Sequence, residues 1–480
     1  KKIMKNIFKT VILVFGVLLF NSCEDELEKL PNDSVTPETF YQTQADFESA
    51  MRGVYSGFLN GSYYGGSFLS LPDIMTSNVI ISPQGRLSNQ VFFEWRHAPN
   101  LSWNFMYPPY VVINRSNLIL ENINNLPDGP DKTNIIGEAK AARALAMFDL
   151  VRVFSEIPTQ SSGASQSLGM PIITTTDPTV QIPRPSVDEC YTFIINELEE
   201  AKGLVNSDNG SGRINKNTVR ALLSRAYLYN GNDLEAINAA NEVTASIASL
   251  STFPGVWTDS SEDGVIFKIN QDRILDGVSI GVQWSQSNAG NVVPEYVMSY
   301  ELFNLYGNDD IRKTSGAYTQ IQSDQAGNLY NTITKMFGEP GQNNGVVDAK
   351  IIRAAEVYLN KAEAHANRSE WVEALQALDM VRSNRYTGFV SGGETGPALL
   401  EAIKLERRLE LFAEGHRFFD LKRWNEPVVR SATDGDFFDG SGTPAPANYL
   451  TLPAGNYKFQ MPIPQSEINV YPGLEQNPGY

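Results

Sequence analysis

The sequence predicts a mainly α-helical protein in which helical hairpins form a scaffold, with loop-rich, irregular insertions and short strands between them. Apolar and small residues recur at helical spacing in three stretches, 135–154, 218–246 and 351–384. The second stretch breaks at 231–232 and the third near 367–369, so each is interpreted as two helices joined by a tight turn. Segments rich in Gly, Asn and Ser separate the hairpins.

Residues 1–22 are predicted to be a secretory signal. Four lysines, the only charges there, precede an apolar run at 11–20, which is shorter than the ~20 residues that a membrane-spanning helix needs. Cys23 follows, as at the cleavage site of a bacterial lipoprotein, where the cysteine carries the lipid anchor. An ordinary signal peptide with an incidental cysteine is the alternative. Residues 23–36 then form an acidic tether, and loss of the four lysines takes the formal charge from −17 to −21.

Composition and motifs disfavour several classes of function. The 38 Lys and Arg residues are outnumbered by 55 Asp and Glu residues, whereas nucleic-acid binding needs clustered cations. There are three histidines, and the sequence has no HExxH, CxxC, GxSxG, Walker or dinucleotide motif, so zinc, triad and nucleotide chemistry lack their signals. We therefore predict that the protein is not an enzyme. A glycosidase, which needs only two suitably spaced carboxylates, is the remaining enzymatic alternative.

Two of the predicted hairpins share residues at identical spacing. In each hairpin, four residues follow one another at intervals of 3, 9 and 4 positions. The two sets are Ser224, Tyr227, Ala236 and Ala240, and Ala362, His365, Ala374 and Leu378. Small residues at the first and third positions let antiparallel helices approach closely, as in a tetratricopeptide unit. The units are not in tandem, because 138 residues rather than about 34 separate them. Generic pairing of alanine-rich helices is the alternative.

The insertions at 60–110 and 251–296 have the composition of a carbohydrate-binding surface. Both combine Gly-, Asn- and Ser-rich loops with aromatic rings. A ring face packs on the apolar C–H face of a sugar, while amides meet its hydroxyl groups. The predicted ligand contacts are three stacking rings and three polar partners: Trp95, Trp284 and Tyr296, with Asn291, Arg86 and Asp73. The alternative is that such rings only fill small satellite cores.

A glycine-rich loop carries three aspartates, Asp434, Asp436 and Asp439. Carboxylate oxygens are ligands that calcium prefers, so a structural calcium ion is left open there. A solvated turn is the favoured interpretation, and no cofactor is predicted.

One charged segment, residues 406–424 (ERRLELFAEGHRFFDLKRW), alternates charged residues with large apolar ones. Several arginines must therefore lie near buried surface, where guanidinium groups pair bidentately with carboxylates. We interpret the segment as a structural clamp rather than a substrate site. The predicted pairs join Arg407, Arg408 and Arg417 to Glu410, Glu414 and Asp420.

Four ordered stretches resemble motifs of the SusD/RagB family of outer-membrane lipoproteins. They are 37–58 (PETFYQTQADFESAMRGVYSGF), 349–366 (AKIIRAAEVYLNKAEAHA), the segment 406–424, and 460–480 (QMPIPQSEINVYPGLEQNPGY). Together with the lipoprotein signal, the resemblance covers essentially the whole mature chain. We divide that chain into an N-terminal part, 37–250, and a C-terminal part, 251–480, within one compact unit.

The resemblance implies a scaffold of four tetratricopeptide-like hairpins with a loop-rich part that carries the ligand site. It further implies a cell-surface lipoprotein that is anchored in the outer membrane through Cys23, binds oligosaccharides and delivers them to a SusC-like TonB-dependent barrel. The same scaffold binding oligopeptides or another nutrient is the alternative. Family motifs do not assign ligand residues, because the binding loops are the variable part, so the six residues named above remain the candidates.

Overall fold

The computed structural model describes residues 36–271, 280–288, 291–338 and 345–480. The predicted signal, Cys23 and the tether up to residue 35 lie outside these residues. Within the described ranges, no helix combines the length and the apolar composition needed to cross a bilayer.

The longer helices, in chain order, are α1 (Gln44–Phe58), α2 (Ser67–Ile74), α3 (Tyr107–Asn122), α4 (Pro130–Phe154), α5 (Val187–Leu204), α6 (Lys216–Asn230), α7 (Asp233–Asn241), α8 (Ala354–Asn367), α9 (Trp371–Arg382), α10 (Gly396–Glu410) and α11 (Arg417–Arg423). Short helices and 3-10 turns lie at Pro37–Phe40, Gln90–Phe93, Pro99–Leu101, Ile123–Asn125, Ala164–Gln166, Phe253–Val256, Ile280–Gln283, Tyr300–Leu305, Ile311–Thr314, Ala447–Tyr449, Tyr457–Phe459 and Gln465–Val470.

The longer helices pack in consecutive pairs. Helix α1 packs against α3, α4 against α5, α6 against α7, and α8 against α9. Successive pairs also touch, through α3 and α4, α5 and α6, and α7 and α8, while α10 packs on α8 and α9. Because each pair covers the apolar face of the next, the four pairs form a continuous scaffold. The mainly α-helical, tetratricopeptide-like prediction is confirmed.

Two hairpin turns lie where the sequence predicts them. Helix α6 ends at Gly231, whose φ of +78° is a left-handed conformation that glycine adopts without steric cost. Ser369, with φ of +61°, lies in the turn between α8 and α9. The two hairpins pack on each other through small and apolar residues, with Ala364 of α8 beside Leu228 and Ala236. Of the small residues of the repeat, Ala236 lies at this contact.

Capping side chains fix the start of several helices. Thr43 before α1 and Ser186 before α5 each accept the backbone N–H three residues on, and the acidic residue at that position, Asp46 or Glu189, bonds back to the cap. Asn215 caps α6 in the same way with its side-chain oxygen. Local sequence thus determines where these helices begin.

The strands are short, and they are β1 (Val79–Ile81), β2 (Val265–Ile269), β3 (Ser285–Asn288), β4 (Asn291–Pro294), β5 (Tyr296–Met298), β6 (Thr319–Ser323), β7 (Leu329–Ile333), β8 (Ala349–Arg353), β9 (Val428–Val429) and β10 (Thr451–Leu452). An antiparallel sheet has the order β1-β5-β7-β6, and two-stranded pairs join β2 to β8, β3 to β4 and β9 to β10. One hydrophobic core extends from Tyr41 to Leu474. The division at residue 250 stays a prediction.

The core contains a carboxylate bound by three arginines. Glu410, the last residue of α10, pairs with Arg385 at 2.8 Å, Arg353 at 2.8 Å and Arg312 at 3.2 Å. Burial alone would raise the pKa of Glu410, but these guanidinium groups hold it well below its ordinary value. The charge is stable inside the protein because every side of the carboxylate is paired.

A neighbouring group of charges attaches the same segment to the loop-rich part. Glu414 pairs with Arg353 at 2.5 Å and with Lys335 at 2.7 Å. The Lys335 ammonium also lies 4.2 Å from the ring centre of Trp257 and 3.7 Å from that of Tyr318. Burial lowers the pKa of Lys335 to about 7 despite these partners. Trp257 is therefore part of the core.

The clamp prediction for residues 406–424 is confirmed in part. Arg407 of α10 pairs with Asp420 of α11 at 2.9 Å, as predicted. The prediction is wrong for Arg408, which pairs instead with Glu301 outside the segment at 2.9 Å. Arg417 forms no ion pair with a described residue. Most carboxylates of the segment thus bind cations from distant parts of the chain. The segment therefore connects several elements rather than only α10 and α11.

We predict that Glu410→Gln lowers the free energy of unfolding by about 3–5 kcal/mol, because it leaves buried guanidinium groups without a compensating charge. Glu401→Gln is the matched control, since that side chain is 71% exposed and pairs only with Lys404; its expected effect is about 0–1 kcal/mol. Urea denaturation followed by circular dichroism measures both. Equal effects of the two substitutions would contradict the central role of Glu410.

Candidate ligand-binding surface

The two loop-rich insertions meet in one small sheet. Strand β1, from the first insertion, pairs antiparallel with β5, from the second, and Ile81 lies opposite Tyr296. Strand β4 precedes β5 directly and pairs with β3. Residues that are about 200 positions apart in sequence are thereby brought together.

Residues 82–89 follow β1 and form a strap that is fastened to Glu295. The carboxylate of Glu295 accepts hydrogen bonds from the backbone N–H groups of Arg86 (2.9 Å) and Ser88 (2.6 Å) and from Nε of Arg86 (3.0 Å). Glu295 is buried, which would raise its pKa, but the hydrogen bonds from Arg86 and Ser88 hold that pKa below its ordinary value. A single ionised carboxylate therefore fixes the centre of the strap.

Backbone contact brings the strap close to the end of β4. A β-carbon at Gly85 would lie 2.3 Å from the carbonyl oxygen of Pro294, so the two chain segments leave no room for a side chain there. The strap also contains two non-glycine residues with left-handed backbone, Leu87 and Asn89. Such conformations cost free energy and persist only where surrounding contacts impose them.

Tyr296 fastens the end of the strap. Its hydroxyl donates to the carbonyl of Ser88 and accepts from Nδ2 of Asn89, both at 2.8 Å. The ring packs edge-on against Trp284, with 6.2 Å between centroids. Both rings are buried, so the prediction that they form exposed stacking platforms is wrong for this conformation. Their contact with a ligand stays a prediction.

Trp284 is fully buried and lies between the surface and the charged segment. Its ring centre is 6.2 Å from that of Phe412 on the other side. The indole Nε1 forms no hydrogen bond with the described residues. A buried indole N–H normally has a partner, so this group has an unused donor.

Trp95 lies apart from the other two candidate rings. It is 7% exposed, and its Nε1 donates to the carbonyl of Met75 at 2.9 Å. The guanidinium of Arg430 covers its ring at 4.2 Å from the centroid. The expectation of an exposed ring face is therefore wrong here too, because a cation occupies the position that a sugar would take.

Asp73 is completely buried near the end of α2. Its carboxylate accepts hydrogen bonds from Nδ2 of Asn78 at 2.7 Å and from the backbone N–H of Ala413 at 3.2 Å. Burial raises the pKa of Asp73 to about 7, although these hydrogen bonds and the more distant charge of Lys335 lower it in part. The group is placed to hold α2 against the charged segment, out of reach of a surface ligand.

The remaining two candidates reach solvent. The side chain of Arg86 is 50% exposed on the strap, and Asn291 begins β4 and is partly exposed. The structure thus brings Arg86, Asn291, Trp284 and Tyr296 to one region and places Trp95 and Asp73 elsewhere. Sequence reasoning missed Glu295, since nothing local shows that its partners lie more than 200 residues earlier.

The aspartates considered for calcium are used by hydrogen bonds. Asp436 accepts from Oγ of Ser82 at 2.8 Å and from the backbone N–H of Thr443 at 2.7 Å, while Asp439 accepts from Ser441. In the described part of the chain, no group of three or more His, Cys, Asp or Glu side chains is arranged to hold a metal ion.

Comparisons with known proteins agree over both halves of the chain. Residues 278–480 match the family model described as the SusD family, and residues 27–228 match the model described as starch-binding associating with outer membrane. The SusD-like protein P38 of Formosa agariphila is 25% identical, with 89% of this chain and 93% of that protein covered.

Solved structures have the same fold. A SusD superfamily protein from Bacteroides thetaiotaomicron has a TM-score of 0.79 and 26% identity, with 91% of this chain and 100% of that chain covered. A putative sugar binding protein from Bacteroides vulgatus has a TM-score of 0.78 and 25% identity, with 92% and 99% covered.

We predict that Asp73 makes the protein less stable as the pH rises from about 4 to 7. The folded protein keeps this proton up to about pH 7, whereas an unfolded aspartate loses it near pH 4, so the folded state binds more protons in between. Between pH 4 and 7, the free energy of unfolding of the unaltered chain should fall by up to about 4 kcal/mol because of Asp73. In Asp73→Asn this fall should be absent.

Urea denaturation at several pH values compares Asp73→Asn with the unaltered chain. Asp128→Asn is the matched control, because that side chain is 97% exposed; it should retain the pH dependence of the unaltered chain. Parallel pH profiles for Asp73→Asn and the unaltered chain would contradict a buried, protonated Asp73.

Proposed function

Because the chain belongs to the SusD family, we propose that it is a cell-surface lipoprotein that binds oligosaccharides and delivers them to a SusC-like TonB-dependent transporter of the outer membrane. The observation that carries this proposal is the pair of family matches, which together span most of the chain. Support for a sugar ligand comes from the description of the model matched by residues 27–228 and from the putative sugar binding protein of similar structure.

The protein acts by binding rather than by turnover. It captures the oligosaccharide at the cell surface and passes it to the transporter, and no covalent step is needed. In this proposal Cys23 carries the lipid, and two or more acyl chains hold the protein stably on the membrane, since one chain gives only reversible binding. The acidic tether connects this anchor to the folded part.

The transporter partner is tested in native outer membranes. We expect that capture of the full chain from a mild detergent extract also isolates a TonB-dependent barrel, identified by mass spectrometry. The same capture after Cys23→Ala, which removes the anchor, should yield less barrel because the protein is no longer held in the membrane. A full chain that carries its lipid and is captured without any barrel would contradict the delivery role.

The proposed ligand surface is the strap together with the start of β4. Arg86 and Asn291 offer donors and an acceptor to sugar hydroxyl groups. Tyr296 holds the strap through its hydroxyl, and its ring packs on Trp284.

Calorimetric titration of the full chain tests this surface, in a detergent that has no sugar head group. Maltohexaose, cellohexaose, xylohexaose, mannohexaose and laminarihexaose form the panel, with a hexapeptide mixture alongside. The double variant Arg86→Ala/Asn291→Ala should weaken binding of the best sugar by about 1–3 kcal/mol, or roughly 5- to 150-fold, because two hydrogen-bonding side chains are lost. Arg96→Ala is the control, since that side chain is similarly exposed, at 45%.

Other outcomes separate the alternatives. Saturable binding heat with the peptides and none with the sugars would mean that the ligand is a peptide. The scaffold and the transport role would then still stand. New reducing ends that disappear after substitution of a single Asp or Glu would favour a surface glycoside hydrolase. Unchanged sugar affinity in the double variant would overturn the choice of Arg86 and Asn291.

A further inference from the structure

A cleft with both polar and apolar walls lies where the end of α4, the turn at Ala164–Gln166 and the C-terminal stretch meet. Its volume is about 290 Å³, close to the lower limit of the range typical of small-ligand sites, about 300–1,000 Å³. None of the six predicted ligand residues lines it. The motif 460–480, which the proposed ligand surface does not use, forms one wall.

Two amide side chains of that wall are held by hydrogen bonds behind the cleft. Asn477 donates both of its amide hydrogens, to the carbonyl of Phe154 at 2.6 Å and to that of Met461 at 2.7 Å. Its side-chain oxygen is therefore the one hydrogen-bonding atom that this amide has left. Gln460 is held by Gln160, to which its Nε2 donates at 3.2 Å. Both amides are buried, so their positions are fixed before any ligand arrives.

An aromatic ring stands at the opening of the cleft. Tyr457 is 40% exposed, although it is a large ring in a well-packed region. Tyr480 packs edge-on against it at 4.9 Å between centroids, and the Lys458 ammonium lies 5.0 Å from its centre. These contacts fix the ring while part of it remains in contact with water, which is the condition for stacking on an apolar sugar face.

The charge of the lining restricts the class of ligand. Among the described residues that line the cleft, the charged group is the Glu156 carboxylate, which disfavours an anion. The nearby Lys458 ammonium donates to the carbonyl of His97 at 2.5 Å. Amides, the Ser167 hydroxyl and a carboxylate are instead the groups that bind hydroxyl groups of neutral sugars.

We propose that this cleft is a second saccharide-binding site, which takes a neutral sugar unit against Tyr457, Gln460 and Asn477. The proposal rests on the proposed function for the chemical class of the ligand, but its location is independent of the strap. Two binding places on one chain increase the affinity for a long glycan that reaches both, because the second contact is intramolecular.

Hydrogen–deuterium exchange of the full chain locates the bound sugar. Each of the five hexasaccharides is added at saturation, and slower exchange is expected in peptides covering 164–168 and 455–478. When the sugar is added near its dissociation constant instead, Tyr457→Ala should reduce this protection, and so should Gln166→Ala, at an exposed lining position. Tyr107→Ala is the matched control, because this tyrosine is 66% exposed and lies outside the cleft; it should leave protection unchanged.

Affinity gives the second readout. Loss of the Tyr457 ring should weaken sugar binding to the cleft by about 3- to 10-fold, whereas Tyr107→Ala should not change it. Protection that is confined to 82–89 and 291–296 would overturn the cleft while the proposed function stands. Protection at the cleft that survives both Tyr457→Ala and Gln166→Ala would overturn the assigned contacts, and absence of binding by all five sugars would overturn the saccharide ligand in both proposals.

Discussion

Glu410 has almost no contact with water, and three arginines from distant parts of the chain surround it. Arg312 comes from the short helix Ile311–Thr314 between β5 and β6, Arg353 ends β8, and Arg385 follows α9. Removing so many charges from water is costly, and the cost is offset only when each charge is paired. Removal of one partner leaves a buried, unpaired charge behind. The scaffold helices and the loop-rich part must therefore reach their places together, which fixes how one part lies on the other.

How much of this the sequence predicts depends on the range of the interaction. Helix periodicity and the break at Gly231 are local signals, and both are confirmed. The charge pattern of 406–424 correctly predicts that arginines meet carboxylates in a buried place. It does not identify the partners, since Glu410 and Arg312 are 98 residues apart and Arg408 pairs with Glu301 rather than with a neighbour. Only the tertiary fold determines which charges meet.

The candidate site is less predictable for the same reason. A tryptophan in a Gly-, Asn- and Ser-rich loop has the same local sequence whether its ring is exposed or buried. Burial removes about 150–250 Å² of surface per ring from contact with water, so the ring packs against whichever neighbour the fold supplies. Phe412 does so for Trp284, and the guanidinium of Arg430 does so for Trp95. The two polar candidates that reach solvent, Arg86 and Asn291, lie at the sheet that joins the two insertions.

A continuous series of contacts connects the strap to the buried charges. Tyr296 holds the strap and packs on Trp284, and Trp284 packs on Phe412 of the charged segment. The carbonyl of Phe412 accepts a hydrogen bond from Lys335 at 2.5 Å, and Lys335 pairs with Glu414. The polar groups of the surface are thus supported by the most strongly constrained part of the core. A surface held in this way loses little conformational entropy when a ligand binds, so a few hydrogen bonds to a hydrated sugar give a measurable net affinity.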